Sequence, residues 1–235
     1  MEMPVNLVLL PGMDGTGELF QPLVDALPDS MRVLVVRYPL DQLRSYADLM
    51  NLVQDAVPDG ESFLLLAESY SVPLAIRFAA THPPNLKGLI VCAGFAASPV
   101  KGWRRAICSL FTPVWFRLSL PVFVLRYFLV GWDASAPLLA EVRGAVASVS
   151  AKVLAARLRE VLACDVRAEL SRVSVPVLYV RALRDRLVSG SSCVEIQRAL
   201  PHTVVGEIDG PHLILQREPD RVAAIVLDFL REGSI

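Results

Sequence analysis

Phe63-Leu64-Leu65-Leu66-Ala67-Glu68-Ser69-Tyr70-Ser71 runs from an unbroken apolar stretch into a serine that has a small residue two positions away on either side. The apolar run suits a strand buried on both faces, and a helical pattern over 72–81 follows after a very short turn. Such a strand–serine–helix junction is the layout of a nucleophile elbow. The turn is tight enough that flanking residues must be small, and it lifts the hydroxyl off the sheet. The pattern here is A-x-S-x-S rather than G-x-S-x-G. On its own the pentapeptide is equally well read as a capping serine opening a helix.

Working outward, apolar runs at 5–10, 32–36, 89–93, 176–180 and 203–208 read as further strands. Helical spacing over 19–27, 46–57 and 220–230 fills the intervals. Strands that are apolar throughout need helices on both faces, so the expected fold is α/β, an open and mostly parallel sheet of about six strands. The alternation fails over 98–172, where 103–120, 122–129, 137–148 and 151–162 all read as helices. That stretch is too long for a connection and is expected to be an inserted helical cap, leaving 1–97 and 173–235 as the core.

The histidine count is three, which narrows the search for a base. His82 lies at the far end of the helix that Ser69 opens, and His202 enters the last strand at its N-terminal end. His212 follows that strand, in Asp209-Gly210-Pro211-His212, on the C-terminal edge where α/β sheets gather their chemistry. Asp185, just past the fifth strand, is the candidate acid; otherwise it is a loop aspartate paired with Arg184 or Arg186. Asp209 ranks second, because a residue in the same turn as the histidine reaches Nδ1 poorly. The order Ser69, Asp185, His212, each after a parallel strand, suits a nucleophile–acid–base triad.

Acyl transfer also needs donors for a developing oxyanion. The first strand ends in Leu10-Pro11-Gly12-Met13-Asp14-Gly15-Thr16-Gly17, and the backbone amides of Met13 and Tyr70 are the candidate pair. The same glycines have a rival reading as a pyrophosphate cradle, with Arg37 suited to a 2′-phosphate. The G-x-x-G-x-G spacing and the absence of G-x-x-x-x-G-K-[ST] speak against it.

Leu10 to Gly17 (L-P-G-x-D-G-T-G), Glu68 to Ser71 (E-S-[FY]-S) and Asp209 to His212 (D-G-P-H) together resemble a group of small bacterial serine hydrolases in the α/β-hydrolase superfamily. The resemblance covers nearly the whole chain. It implies Ser69 as nucleophile, His212 as base, Asp185 as acid, and the Met13 and Tyr70 amides as oxyanion hole. Two departures stand out: Ala67 replaces the usual first glycine of the elbow, and the chain opens at what the family counts as its third strand. The second leads us to expect no antiparallel edge hairpin.

Composition bounds the rest. The chain has 235 residues, 54% of them apolar and 20% charged, so it carries a core and is not disordered. Lys and Arg number 23 against 24 Asp and Glu, a net charge of −1, which leaves no basic excess to hold nucleic acid. Cys92, Cys108, Cys164 and Cys193 form no CxxC pair and read as buried thiols. The first residues lack a basic n-region, and Arg117, Arg126, Pro113 and Pro121 break up the apolar stretch of 106–132. Neither a secretory signal nor a membrane span is expected, and the expected location is cytoplasmic.

Trp103, Phe111, Trp115, Phe116, Phe123, Phe128 and Trp132 crowd the first part of the insertion, among Arg104, Arg105, Arg117 and Arg126. They read first as packing that fixes the cap to the core. The alternatives are an apolar wall for an acyl chain, transient contact with a lipid surface, or an arginine that accepts a substrate anion. The expected activity is cleavage of a carboxylic ester or thioester through an acyl-enzyme, with no metal or organic cofactor. An acyltransferase with the same triad and a non-catalytic binder on the same fold are the alternatives.

Overall fold

The computed structural model describes residues 6–103, 105, 108, 116 and 121–232. Most of the helix expected over 103–120, Phe111 and Trp115 included, lies outside the described residues.

Six strands make one sheet: β1 (Asn6–Leu10), β2 (Arg32–Val35), β3 (Phe63–Glu68), β4 (Leu86–Cys92), β5 (Val177–Ala182) and β6 (Val204–Ile208). Their order is β2-β1-β3-β4-β5-β6, and every neighbouring pair is parallel. The strands are apolar throughout because each face meets its own helical layer. On one face Val8, Leu65, Ala67, Val91 and Tyr179 pack with α2 (Tyr46–Ala56) and α3 (Val72–Ala79). On the other, Leu7, Leu64, Leu66, Ile90 and Val180 pack with α1 (Gln21–Ala26) and α7 (Pro219–Glu232). Alternate residues of one strand thus enter two separate cores.

Local sequence explains several element ends. Ser45 and Asp48 form a reciprocal capping box that opens α2. The expected helix over 19–27 is a 3-10 turn, Glu18–Phe20, leading into α1 with a proline in its first turn. His82, at φ 56°, terminates the α3 segment ahead of Pro83. Strand β3 runs one residue beyond the apolar pattern, to Glu68, which pairs in register with Cys92.

Between β4 and β5 the described elements are helical. A turn at Val122–Leu125 continues into a π-helical turn, Arg126–Val130, and α4 (Ala136–Ser148) and α5 (Ala151–Ala163) follow, each capped by a serine. Leu125, Val130, Leu139 and Val142 pack on Leu19 and Leu213, while Val149, Val153 and Leu154 pack on Met13 and Leu40. This segment therefore rests on loops at the C-terminal edge of the sheet. The chain leaves and returns side by side, with Ala97 bridging Asp165 and Val166 N–H donating to Ala96 O at 2.7 Å. After β5 comes α6 (Gly190–Ala199).

The aromatic residues of the segment are not all packing, as the sequence suggested. Trp103 is 72% exposed and Phe123 62%, and Trp132 and Tyr127 also face solvent. The four thiols are free, and Cys92, Cys164 and Cys193 are buried. No helix among the described residues is long and apolar enough to cross a membrane.

Candidate active site

Strands β1, β3, β5 and β6 deliver four loops to one edge of the sheet, where the order turns from β1 to β2 on one side and to β3 on the other. Ser69 stands at the end of β3 with φ 48°, a left-handed conformation that a non-glycine residue adopts only under constraint from its surroundings. The helix that follows it packs closely on the chain after β4. Gly94, after β4, lies so close to α3 that a Cβ there would come within 2.3 Å of Val72 Cγ2.

The structure brings Ser69, His212 and Asp185 into one hydrogen-bonded chain. Ser69 Oγ is 2.9 Å from His212 Nε2, and His212 Nδ1 is 2.7 Å from Asp185 Oδ2. The histidine and aspartate side chains are each only 3% exposed. Asp185 Oδ1 accepts the Leu187 and Val188 amides at 2.8 and 2.9 Å, which fixes the carboxylate and leaves Oδ2 for the imidazole. The His212 turn is held by Leu213 N–H donating to Leu129 O and Arg184 N–H to Gly210 O, both 2.9 Å. Asp209, the second-ranked acid, instead pairs with Arg184 at 2.8 Å in solvent. Arg186 lies over the Tyr127 ring at 4.0 Å, so neither arginine holds Asp185. His82 bonds Ser174 at 3.0 Å far from this edge, and His202 lies in an exposed turn before β6.

The glycine loop after β1 is bound from every side. Ser71 Oγ donates to Pro11 O, so Tyr38 Oη must donate to Ser71 Oγ, at 2.6 Å. The Gly12 amide bonds the Glu68 carboxylate. Gly15 N–H donates to Gly12 O at 3.1 Å, and Tyr38 N–H to Gly15 O at 2.8 Å. Thr16 N–H donates to Asp14 Oδ2 at 2.9 Å. Amides that a pyrophosphate would need are thus used within the chain, above two buried acids, and Arg37 is solvent-exposed. The dinucleotide reading does not fit this loop. Among the described residues no group of three or more His, Cys, Asp or Glu side chains is arranged to hold a metal ion.

No family model matches the chain, and no curated protein matches it in sequence. Solved structures do match in shape. A bromoperoxidase from Bacillus anthracis superposes with a TM-score of 0.84 at 15% identity, over 97% of this chain and 92% of the other. An enol-lactonase from Burkholderia xenovorans LB400 gives 0.79 at 19%, over 97% and 91%. A membrane phospholipase A described as a bacterial virulence factor gives 0.79 at 18%, over 100% and 81%. The fold is that of the α/β-hydrolases.

Within this α/β-hydrolase fold, electrostatics sets the protonation of the site. Burial alone would lower the His212 pKa, but the charge and hydrogen bond of Asp185, together with the charge of Glu68, raise it above the ordinary 6.5. Glu68 is fully buried beside the candidate nucleophile. Burial, reinforced by the Asp14 charge, raises its pKa to about 7 against the pull of His212, Gln216 and the Gly12 amide. Gln216 Nε2 donates to Glu68 Oε1 at 3.2 Å. The sequence placed Glu68 and Ser71 in the elbow without assigning either a role, and it left Tyr38 and Arg157 out of this edge altogether, since neither stands in a motif.

Proposed function

We propose that this protein is a serine hydrolase that cleaves a carboxylic ester or thioester of a lipophilic acyl group. The observation that carries the reading is the continuous hydrogen-bond chain from Ser69 through His212 to Asp185. Ser69 Oγ attacks the carbonyl carbon as its proton passes to His212 Nε2, while Asp185 holds the Nδ1–H tautomer and balances the imidazolium. Collapse of the tetrahedral intermediate breaks the bond to the leaving oxygen or sulfur, which takes the proton from Nε2. Water then gives a proton to Nε2 and attacks the acyl-enzyme, and the second collapse returns the proton to Ser69.

The Met13 and Tyr70 amides receive the oxyanion in this reading. Gly12 O is engaged by Gly15 N–H, so across a trans peptide the Met13 N–H faces the opposite way. Tyr70 N–H belongs to the first turn after Ser69, where helical amides lack intrahelical partners. The described residues of 98–172 act as a cap over this edge, with exposed Phe123, Tyr127 and Trp132 offering apolar surface to an acyl chain or a lipid surface. The names of the similar lactonase and phospholipase denote ester substrates, which supports acyl–oxygen chemistry.

A chain-length series of p-nitrophenyl esters and acyl thioesters, run on wild type and Ser69→Ala, tests the reading. Turnover is expected to fall by at least about 10⁴-fold in the variant, with substrate binding retained. A fluorophosphonate is expected to label Ser69 in the wild type. A variant as active as wild type would overturn the assignment, and a folded wild type that neither turns over nor labels would make the protein a binder. An alcohol that captures the acyl group ahead of water would change hydrolysis to transfer.

A further inference from the structure

Arg157 belongs to α5, far along the chain from the glycine loop, yet it is one of the most deeply buried charged side chains. Its Nη1 donates to Met13 O and to Asp14 O, both at 2.8 Å, and its Nη2 donates to Pro39 O at 3.0 Å. The guanidinium lies 5.7 Å from the Tyr38 ring centre and 5.9 Å from that of Tyr70. Among the described residues no carboxylate forms an ion pair with it. A buried cation whose hydrogen bonds go to backbone carbonyls is an expensive arrangement for stability alone, so its position calls for another account.

Gly15 supplies one part of that account. It has φ 71°, and a Cβ there would come within 2.6 Å of Arg157 Nη1. The glycine that read as a phosphate cradle is instead the seat of a guanidinium. Two adjacent carbonyls bound to one planar group cannot rotate independently, so the peptide units on either side of Asp14 are held in register. The second of them carries Gly15 N–H, which donates to Gly12 O, the carbonyl of the peptide that bears Met13 N–H. Ser71 on Pro11 O and Glu68 on the Gly12 amide grip the same loop from the β3 side.

We propose that Arg157 is a positioning residue that, by fixing the Met13–Asp14 and Asp14–Gly15 peptides, holds Gly12 O on Gly15 N–H and so keeps Met13 N–H in its donor orientation, and that α5 thereby completes the oxyanion hole. The proposal rests on the hydrolase reading given above. It makes the inserted segment part of the catalytic apparatus and not only its cover. Val153 and Leu154, on the same helix, pack on Met13 and Leu40, so a movement of α5 would be transmitted to the loop.

The test compares wild type, Ser69→Ala, Arg157→Met and Arg157→Lys on one ester. Circular dichroism and thermal unfolding identify which variants are folded. Arg157→Met is expected to lower kcat by about 10²-fold with KM within about threefold, the size of a lost oxyanion donor. Arg157→Lys keeps the charge but offers one nitrogen where the guanidinium uses two to reach the Met13, Asp14 and Pro39 carbonyls; it remains testable if the methionine variant does not fold, and its kcat is expected to fall by about tenfold. Affinity for a trifluoromethyl ketone, which forms a tetrahedral adduct, is expected to fall in parallel with kcat, and millimolar guanidinium to restore part of it in Arg157→Met. A folded variant with wild-type kcat, or a loss confined to KM, would overturn the proposal. A wild type that is itself inactive and unlabelled at Ser69 would overturn the hydrolase reading instead.

Discussion

Glu68 is a carboxylic acid placed between a buried strand and the candidate nucleophile. Burial raises it from 4.5 to about 7, so folding favours its neutral form. The associated stability is fully present below 4.5, declines as pH rises, and is lost above about 7; its upper limit is about 3 kcal/mol. His212, also raised, acts in the same direction, losing its contribution as pH rises through a value above 6.5. Urea unfolding should therefore show wild type weaker at pH 8 than at pH 5, and Glu68→Gln should flatten that slope. In the proposed mechanism the base is neutral His212, so kcat/KM should rise with pH through a midpoint above 6.5. Removing the Glu68 charge should move that midpoint down, and an unchanged midpoint would mean that the two groups do not interact. The Glu68 shift was not legible in the sequence, because it comes first from burial on folding, with Asp14 adding to it and His212 and Gln216 opposing it.

Among the elements, α3 and β4 set the elbow. Gly94 allows α3 to approach β4, and an added Cβ meets Val72 at 2.3 and 2.8 Å, with no flexible chain end to yield. Gly94→Ala should destabilise the fold by about 1–3 kcal/mol and tilt α3, weakening the Ser69–His212 hydrogen bond and lowering turnover. Adding Val72→Ala should recover part of both losses; thermal unfolding and kcat measured on the single and double variants check this. The strands themselves could be read from the sequence, since continuous apolar runs between helical periods have few other solutions. The end of β3 could not, because Glu68 breaks the apolar run while remaining in register with Cys92. Nor was the purpose of Ser71 visible. It read as a small residue beside a tight turn, whereas its hydroxyl ties the elbow to Pro11.

Over the whole molecule, the segment between β4 and β5 presents Phe123, Tyr127 and Trp132 to solvent, beside exposed Leu183 and Leu187 on the loop after β5. Arg186, stacked on Tyr127 and donating to its carbonyl at 3.4 Å, joins the two surfaces. A long acyl chain covering this face would gain roughly 0.8 kcal/mol for each buried methylene. The double variant Phe123→Ser, Trp132→Ser should therefore lower kcat/KM about tenfold on a dodecanoyl ester while acetyl ester turnover stays within about twofold. Equal losses on both esters would remove the face from substrate recognition.

Periodicity and chain order were enough to determine the α/β class and the six strands apart from their ends, and to single out three candidate residues on one sheet edge, because these signals are local or follow from one-dimensional order. Burial of an arginine among carbonyls, a carboxylic acid raised to neutrality and aromatic rings turned to water were decided only in three dimensions. Each depends on which side chains from distant segments share a volume, and a pattern along one chain carries no record of that.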